Sequence, residues 1–264
     1  MARSQNANIR PSVNYDQIAS TYDQRFAVSR QGGIAAALLA LVQDLSAERV
    51  LEVGCGTGRW LADLQPVVHQ SAGLDLSAGM LQQARKREVQ FRLVQGRAEQ
   101  LPFPGATFDL LYCVNALHHF SYPRTFISEA RRLLRPDGAL AVVGMDPHGA
   151  REQWYVYHYF EGTYEADVER FPSRKTVLDW MAAEGLREIN WRLVEHILHP
   201  WVGRAVLDDP FLEKDSTSQL VLLTDEAYTA GLRRIEAALA QAEAAGKTLV
   251  FPVDIPLAML VGRV

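Results

Sequence analysis

The stretch Leu51-Glu52-Val53-Gly54-Cys55-Gly56-Thr57-Gly58 constrains this chain more than any other. A short apolar run ends beside an acid, glycines follow at every second position, and a helical pattern begins near Arg59. Glycine lets a backbone turn sharply and approach a ligand with no Cβ in the way. A strand, a tight turn and a helix in this order place the turn at the carboxyl end of a strand, where open α/β sheets bind ligands. The turn is not a dinucleotide fingerprint. The third glycine of G-x-G-x-x-G would fall where Arg59 stands. Glu52 also puts a carboxylate where a pyrophosphate would be repelled and an ammonium or sulfonium attracted.

Around this turn the chain alternates strand and helix. Val50 to Val53 reads as the first strand, Ala72 to Leu76 as the second, Val89 to Gln95 as the third and Phe108 to Asn115 as the fourth. Ser77 is a good N-cap for a helix through Arg87. A further helix spans Pro123 to Leu134, and Arg135-Pro136-Asp137-Gly138 is a strong turn signal before a fifth strand over Ala139 to Met145. Ser173 caps a helix that ends near Gly185, Arg187 to Leu198 reads as a sixth strand, and the last strand covers Leu257 to Arg263. Val13 to Leu45 is expected to be helical, behind a frayed first dozen residues. Such alternation implies βαβ units and a mainly parallel sheet covered on both faces. A long insertion, about His199 to Gly246 and helical from Thr224 to Ala245, interrupts the pattern. Long insertions in compact domains tend to be lids or binding elements. The aromatic run Trp154, Tyr155, Tyr157, Tyr159, Phe160, Tyr164 is a second candidate cap. It suits either a cage for an acceptor or the packed core of a helix, since Trp154, Tyr157 and Phe160 share one helical face.

Composition excludes several classes. A net charge of −4 offers no whole-chain attraction to nucleic acid, and the Arg clusters at 85–87, 131–132 and 233–234 fall on helical faces. Two cysteines, Cys55 and Cys113, stand outside any zinc spacing and suit a reducing cytoplasm. No metal site is expected. The polar N-terminus lacks a secretory core, and no apolar run approaches the roughly 20 residues of a membrane span.

The motifs Leu51–Gly58, Gly73-Leu-Asp-Leu-Ser77, Ala98-Glu-Gln-Leu-Pro-Phe103, Phe108-Asp109, Leu117-His-His-Phe120 and Leu134-Arg-Pro-Asp-Gly138 stand in order over residues 15–145. With Tyr15-Asp-Gln-Ile-Ala19 and Tyr22-Asp23, they resemble the class I S-adenosylmethionine-dependent methyltransferases, and within them the ubiquinone/menaquinone C-methyltransferase-like group. The resemblance implies a Rossmann-like three-layer sandwich, with a mainly parallel seven-stranded sheet, an antiparallel last strand and a helical cap. With the insertion and the aromatic run read as above, the chain is expected to form one methyltransferase domain over residues 1–264: a helical segment at 15–45, a cofactor-binding half at 46–146 and candidate lid segments at 147–172 and 199–247. The resemblance also implies S-adenosyl-L-methionine as cofactor and S-adenosyl-L-homocysteine as product.

By the same resemblance, Glu52 and the backbone of Gly54, Cys55 and Gly56 would hold the methionine part. Asp75 would take the ribose hydroxyls, Leu76 and Met80 would flank the adenine, and Ala98 would offer it a backbone N–H with Glu99 beside it. Asn115 would lie under the methionyl chain, while Tyr15 and Tyr22 would close over the cofactor. Arg97 departs from the pattern, because many relatives carry there an Asp that accepts from the adenine amine.

No covalent nucleophile is needed for methyl transfer from a sulfonium, and no Ser/His/Asp or Cys/His arrangement presents itself. A general base helps only where the acceptor must lose a proton. His118 and His119, after the fourth strand, are the best placed, followed by Asp146 and His148 after the fifth. The Asn/Asp-Pro-Pro-Tyr/Phe motif of nucleic-acid amino methylation is absent, for the fourth strand runs into Val114-Asn115-Ala116-Leu117. The expected acceptor is therefore a small molecule. Alternatives are methylation of a protein or RNA, a non-catalytic cofactor-binding module, and an NAD-linked oxidoreductase, which Arg59 and Glu52 disfavour.

Overall fold

The computed structural model describes residues 13–23, 31–87, 92–149 and 151–264. The expected fraying of the first dozen residues, the start of the third strand and part of the N-terminal helical segment lie outside them.

Alternation of side chains sets the layers. In β1 (Arg49–Val53), Val50 joins one core while Leu51 and Val53 join the other. β4 (Phe108–Val114) repeats this, with Leu110 and Tyr112 on the first face and Leu111 and Cys113 on the second. Helices α2 (Gly32–Asp44) and α3 (Arg59–Leu64) cover the first face, together with Leu81 of α4 (Ala78–Arg85). The second is covered by α5 (Pro123–Leu133) and α8 (Arg174–Ala183).

With β2 (Gln70–Asp75), β3 (Arg92–Gln95), β5 (Leu134–Gly144), β6 (Arg187–Leu198) and β7 (Asp254–Arg263), the seven strands run in the order β3-β2-β1-β4-β5-β7-β6. The first five are mutually parallel, and β7 is antiparallel to both its neighbours. The strand order reverses between β1 and β4, and the crevice at their carboxyl ends is where such sheets take ligands.

Two local readings gain a physical reason. The Asp109 carboxylate accepts the N–H groups of Glu48 and Arg49 at 3.0 and 2.9 Å and pairs with Arg135 at 3.0 Å. It thus staples the entrances of β1 and β5, a structural duty. The expected turn at Arg135–Gly138 becomes an irregularity inside β5: Asp137 has φ 65°, and the register with β4 shifts between Phe108 and Leu110.

The two candidate lid segments pack as one cap. It contains α6 (Val156–Tyr159), α7 (Thr163–Arg170), two 3-10 turns, α9 (Ser218–Val221) and the long α10 (Asp225–Ala244). A two-residue ribbon pairs Trp201–Val202 with Val250–Phe251. Tyr155, Tyr157 and Phe160 are buried in this cap's core with Leu220, Ile235 and Phe251, so those members of the aromatic run are packing residues. Two buried carboxylates tie the segments together. Tyr155 donates to Asp209 at 2.8 Å, and Asp167 accepts from Tyr157 at 2.7 Å and from the Gln219 amide at 2.5 Å. No helix among the described residues is long and apolar enough to cross a membrane.

Candidate active site

The glycine loop is held by its own backbone. Gly54, Gly56 and Gly58 have φ of 73°, 53° and 73°, in the left-handed region that side chains disfavour. The N–H groups of Gly54 and Cys55 both donate to the Leu74 carbonyl, at 2.7 and 3.1 Å. Asp75, at the end of β2, accepts the Gly56 N–H at 2.8 Å on one oxygen and the Ser77 N–H at 2.8 Å on the other. The loop is thereby stapled across β1 and β2, with the N–H groups of Gly54, Cys55, Gly56 and Gly58 engaged. What it can offer a ligand is carbonyl oxygen: that of Gly54 accepts no hydrogen bond among the described residues. A Cβ at Gly56 would meet nothing within 4 Å, so open space lies beside the loop.

Both acids differ from ordinary surface carboxylates. Burial pushes the Glu52 carboxyl well above its usual range, against the pull of the Tyr112 hydroxyl that donates to Oε2 at 3.3 Å. Its Oε1 is buried without a partner, an arrangement that costs about 1–3 kcal/mol when nothing compensates it. Burial also raises Asp75, partly offset by the N–H groups of Ser77 and Gly56. Cys55 is buried with its thiol pushed well up, which makes it a packing group.

The N-terminal segment crosses over this loop. In α1 (Tyr15–Ile18), Asp16 accepts the Ser77 hydroxyl at 2.6 Å and the Gly79 N–H at 2.7 Å. Asp23 accepts the Thr57 hydroxyl at 2.6 Å and pairs with Arg87 at 2.8 Å. Tyr15 and Tyr22 meet edge to face with centroids 5.9 Å apart. Of the two residues expected to flank an adenine, Leu76 is 64% exposed, whereas Met80 is only 2% exposed. The Ala98 N–H makes no hydrogen bond among the described residues. Glu99 binds the Tyr122 N–H at 3.1 Å and lies 3.3 Å from Arg97, so its carboxylate is engaged in tying loops together.

Across the switch point lies a cavity of about 110 Å³ that Tyr15, Tyr22, Asn115, His118 and His119 help to line. Asn115 leaves β4 with φ 50° and donates its N–H to Val143 at 2.8 Å, which turns it out of the sheet. His119 Nε2 lies 2.6 Å from the Tyr15 hydroxyl. The His118 ring stacks on Phe171 with centroids 3.7 Å apart and abuts His119 at 3.9 Å. Asp146 lines a smaller adjoining cavity of about 40 Å³. It accepts the N–H groups of Arg174 and His148 at 2.8 and 3.0 Å and pairs with the His148 ring at 2.8 Å. Burial raises this carboxyl, but those bonds outweigh it and hold the group below the usual range. A carboxyl held this way is a poor proton acceptor. No motif or spacing marks Gln31, Phe211, Thr217 and Gln219, which also line the larger cavity; Gln31 is about 180 positions from the other three.

These residues suit an adenosyl sulfonium. A buried Glu52 oxygen without a partner, open space beside Gly56, an exposed Leu76 and an unengaged Ala98 N–H all belong to segments at or just beyond the carboxyl ends of β1, β2 and β3.

Known proteins agree with this reading. Residues 51–142 match the family model described as a methyltransferase domain. The chain is 33% identical over 150 residues to the phthiotriol/phenolphthiotriol dimycocerosates methyltransferase of Mycobacterium tuberculosis, covering 55% of this chain and 52% of that one. It is 34% identical over 148 residues to the malonyl-[acyl-carrier protein] O-methyltransferase of Dechloromonas aromatica, covering 55% and 53%. The matches thus span about half the length of these curated relatives. In fold, the chain is similar to the structure of a methyltransferase candidate from an antibiotic biosynthesis pathway of Anabaena variabilis. The TM-score is 0.67 at 21% identity, over 87% of this chain and 97% of that one. Domain match and sheet topology converge: residues 51–142 carry a methyltransferase domain, and the chain has the Rossmann-like fold of its methyltransferase neighbours.

Proposed function

We propose that the protein transfers a methyl group from S-adenosyl-L-methionine to a small-molecule acceptor by in-line displacement, leaving S-adenosyl-L-homocysteine. The observation that carries this reading is the stapled glycine loop of Gly54–Gly58 at the strand ends, beside a β4 end whose Asn115 lines a cavity. When bound, the cofactor supplies a methyl group already activated on a positively charged sulfur.

The protein's tasks are then holding, aligning and excluding water, and alignment alone contributes up to about 7–11 kcal/mol. The Gly54 carbonyl and Glu52 would hold the methionine part, with Cys55 and Gly56 as its backbone floor. Asp75 would take the ribose hydroxyls on the lone pairs its backbone bonds leave open. Leu76 and the Ala98 N–H would receive the adenine, Met80 would support it from beneath, and Glu99 would position the loop that carries Ala98. Asn115 would sit under the methionyl chain, and Tyr15 and Tyr22 would close the entrance. His118 or His119 would accept a proton where the acceptor must lose one, with the Tyr15 hydroxyl fixing the His119 ring; Asp146 is the third choice.

The relatives support a small or carrier-borne acceptor, being named for dimycocerosates and for malonyl-[acyl-carrier protein]. The entry motif Tyr15–Ala19 supports kinship with the ubiquinone/menaquinone group, and two buried free cysteines suit the cytoplasm. The test is a screen of small metabolites with a methyl-labelled donor. Label should appear in an acceptor, in step with S-adenosylhomocysteine. A protein that binds the donor yet labels nothing in a broad panel would be a binding module.

A further inference from the structure

The larger cavity has an unusual lining. None of the described residues around it is Asp, Glu, Lys or Arg. Its walls are largely apolar or aromatic, with Phe171, Phe211, Ile255 and Leu257 among them. Three of its lining residues nevertheless carry buried polar atoms with no hydrogen-bond partner: Trp154 Nε1, Thr217 Oγ1 and Gln31 Oε1. These residues are only 3%, 8% and 8% exposed, so solvent does not reach the orphaned atoms. Buried polar groups are nearly always bonded, and orphans gathered around one cavity mark a missing partner.

The chemistry of that partner follows from the three atoms. The indole N–H can only donate, the amide oxygen can only accept, and the threonine hydroxyl can do either. A carboxylate only accepts and would leave Gln31 unserved. An ammonium only donates and would leave Trp154 unserved. A neutral hydroxyl does both. A charged occupant would also enter a site with no fixed countercharge, which is costly. Behind the lining, Arg170 and Asp167 are bonded to Ser218 and Gln219 but neutralise each other in an ion pair at 2.6 Å, and Arg174 and Asp146 line the adjoining smaller cavity. As for size, an apolar cavity of about 150 Å³ accommodates benzene, so about 110 Å³ with an open mouth admits one ring-sized group.

We propose that the cavity takes the acceptor by a ring-sized, uncharged moiety bearing a hydroxyl, an alcohol or phenol, held by Trp154, Thr217 and Gln31. This deepens the methyltransferase reading and rests on it for the word acceptor; the cavity's preference itself does not.

The test uses three probes of one shape: 4-methylphenol, 4-methylbenzoate and 4-methylbenzylammonium. Each is titrated by ligand-observed NMR against the full chain in saturating S-adenosylhomocysteine. The phenol should bind about tenfold or more tighter than either ion. Thr217→Val and Trp154→Phe should each weaken the phenol about tenfold, while calorimetric affinity for S-adenosylhomocysteine stays within about twofold of the parent. That retained affinity shows the variants fold. Equal or tighter binding of either ion, absence of phenol binding, or variants that leave phenol binding unchanged would overturn the proposal. If S-adenosylhomocysteine itself gives no heat while the phenol still binds, the methyltransferase reading fails and the cavity assignment stands.

Discussion

From β1 to Asn115, the shape of the proposed donor site is held by backbone: three left-handed glycines, two N–H groups on the Leu74 carbonyl, and Asp75 gripping Gly56 and Ser77. In the cap, side chains do the holding. Tyr155 reaches Asp209, Tyr157 and Gln219 share Asp167, and Gly231 admits the Phe160 ring where a Cβ would stand 2.2 Å away. Backbone bonds depend on turn geometry and so on glycines and acids at set spacings. Side-chain bonds depend on whichever pairs happen to meet. The first arrangement can be written as a motif of spaced residues; the second cannot.

The comparison can be broken most severely at Asp75. Asp75→Ala removes the staple and, on the proposed reading, the ribose acceptor as well, and S-adenosylhomocysteine affinity should fall about a hundredfold, near 2.7 kcal/mol, with the fold retained by circular dichroism. A loss below threefold would show that the loop stands without it.

Next come two glycines, one from each region. A Cβ at Gly73 would lie 2.7 Å from Cys55 Sγ and Leu61 Cδ1 beneath the loop. Gly73→Ala should cost about 1–3 kcal/mol by overpacking, lowering the melting temperature and weakening the donor product. Gly231→Ala should instead loosen the cap: faster proteolysis within 199–247 and donor affinity within about threefold. Equal damage to donor binding from both would erase the distinction.

A smaller effect is expected at Tyr155→Phe. It removes one buried hydrogen bond to Asp209, which keeps the Phe211 N–H at 2.9 Å. Loss of about 1–2 kcal/mol in urea unfolding is expected, again without change in donor affinity.

The mildest probe is pH. Glu52 is an acid whose folded pKa is raised well above its ordinary 4.5, chiefly by burial. Above that ordinary value the folded state keeps a proton that the unfolded chain releases, so stability falls as pH rises toward the folded pKa. Glu52→Gln should flatten this decline and raise the melting temperature at pH 8 relative to the parent. An unchanged pH profile would mean that Glu52 is ionised in the folded protein.

The same contrast explains what could be read from residues alone. Strand and helix order, the Ser77 and Ser173 caps, and the helix after Thr224 follow from local periodicity and capping chemistry, and the structure carries each of them. Asn115 reads as the end of β4, whereas the structure turns it out with φ 50°, a conformation no pattern announces in a non-glycine residue. The turn at Arg135–Gly138 reads as a break between elements but lies inside β5, because pairing with β4 continues through it. Tyr155 and Asp209 are 54 positions apart, and Gln219 and Asp167 are 52 apart. No spacing rule connects such pairs. The cavity's Gln31, Trp154 and Thr217 share this fate, since each comes from a different segment and only the folded chain brings them around one space.

Everything rests on the crevice beside Gly54–Gly58 and Asp75 being a donor site. Isothermal titration of the ligand-stripped chain with S-adenosyl-L-homocysteine, and in parallel with NAD, tests this most directly. One S-adenosylhomocysteine per chain with clear heat, and none from NAD, is the expected result. Silence with S-adenosylhomocysteine, or binding of NAD in its place, would contradict the account.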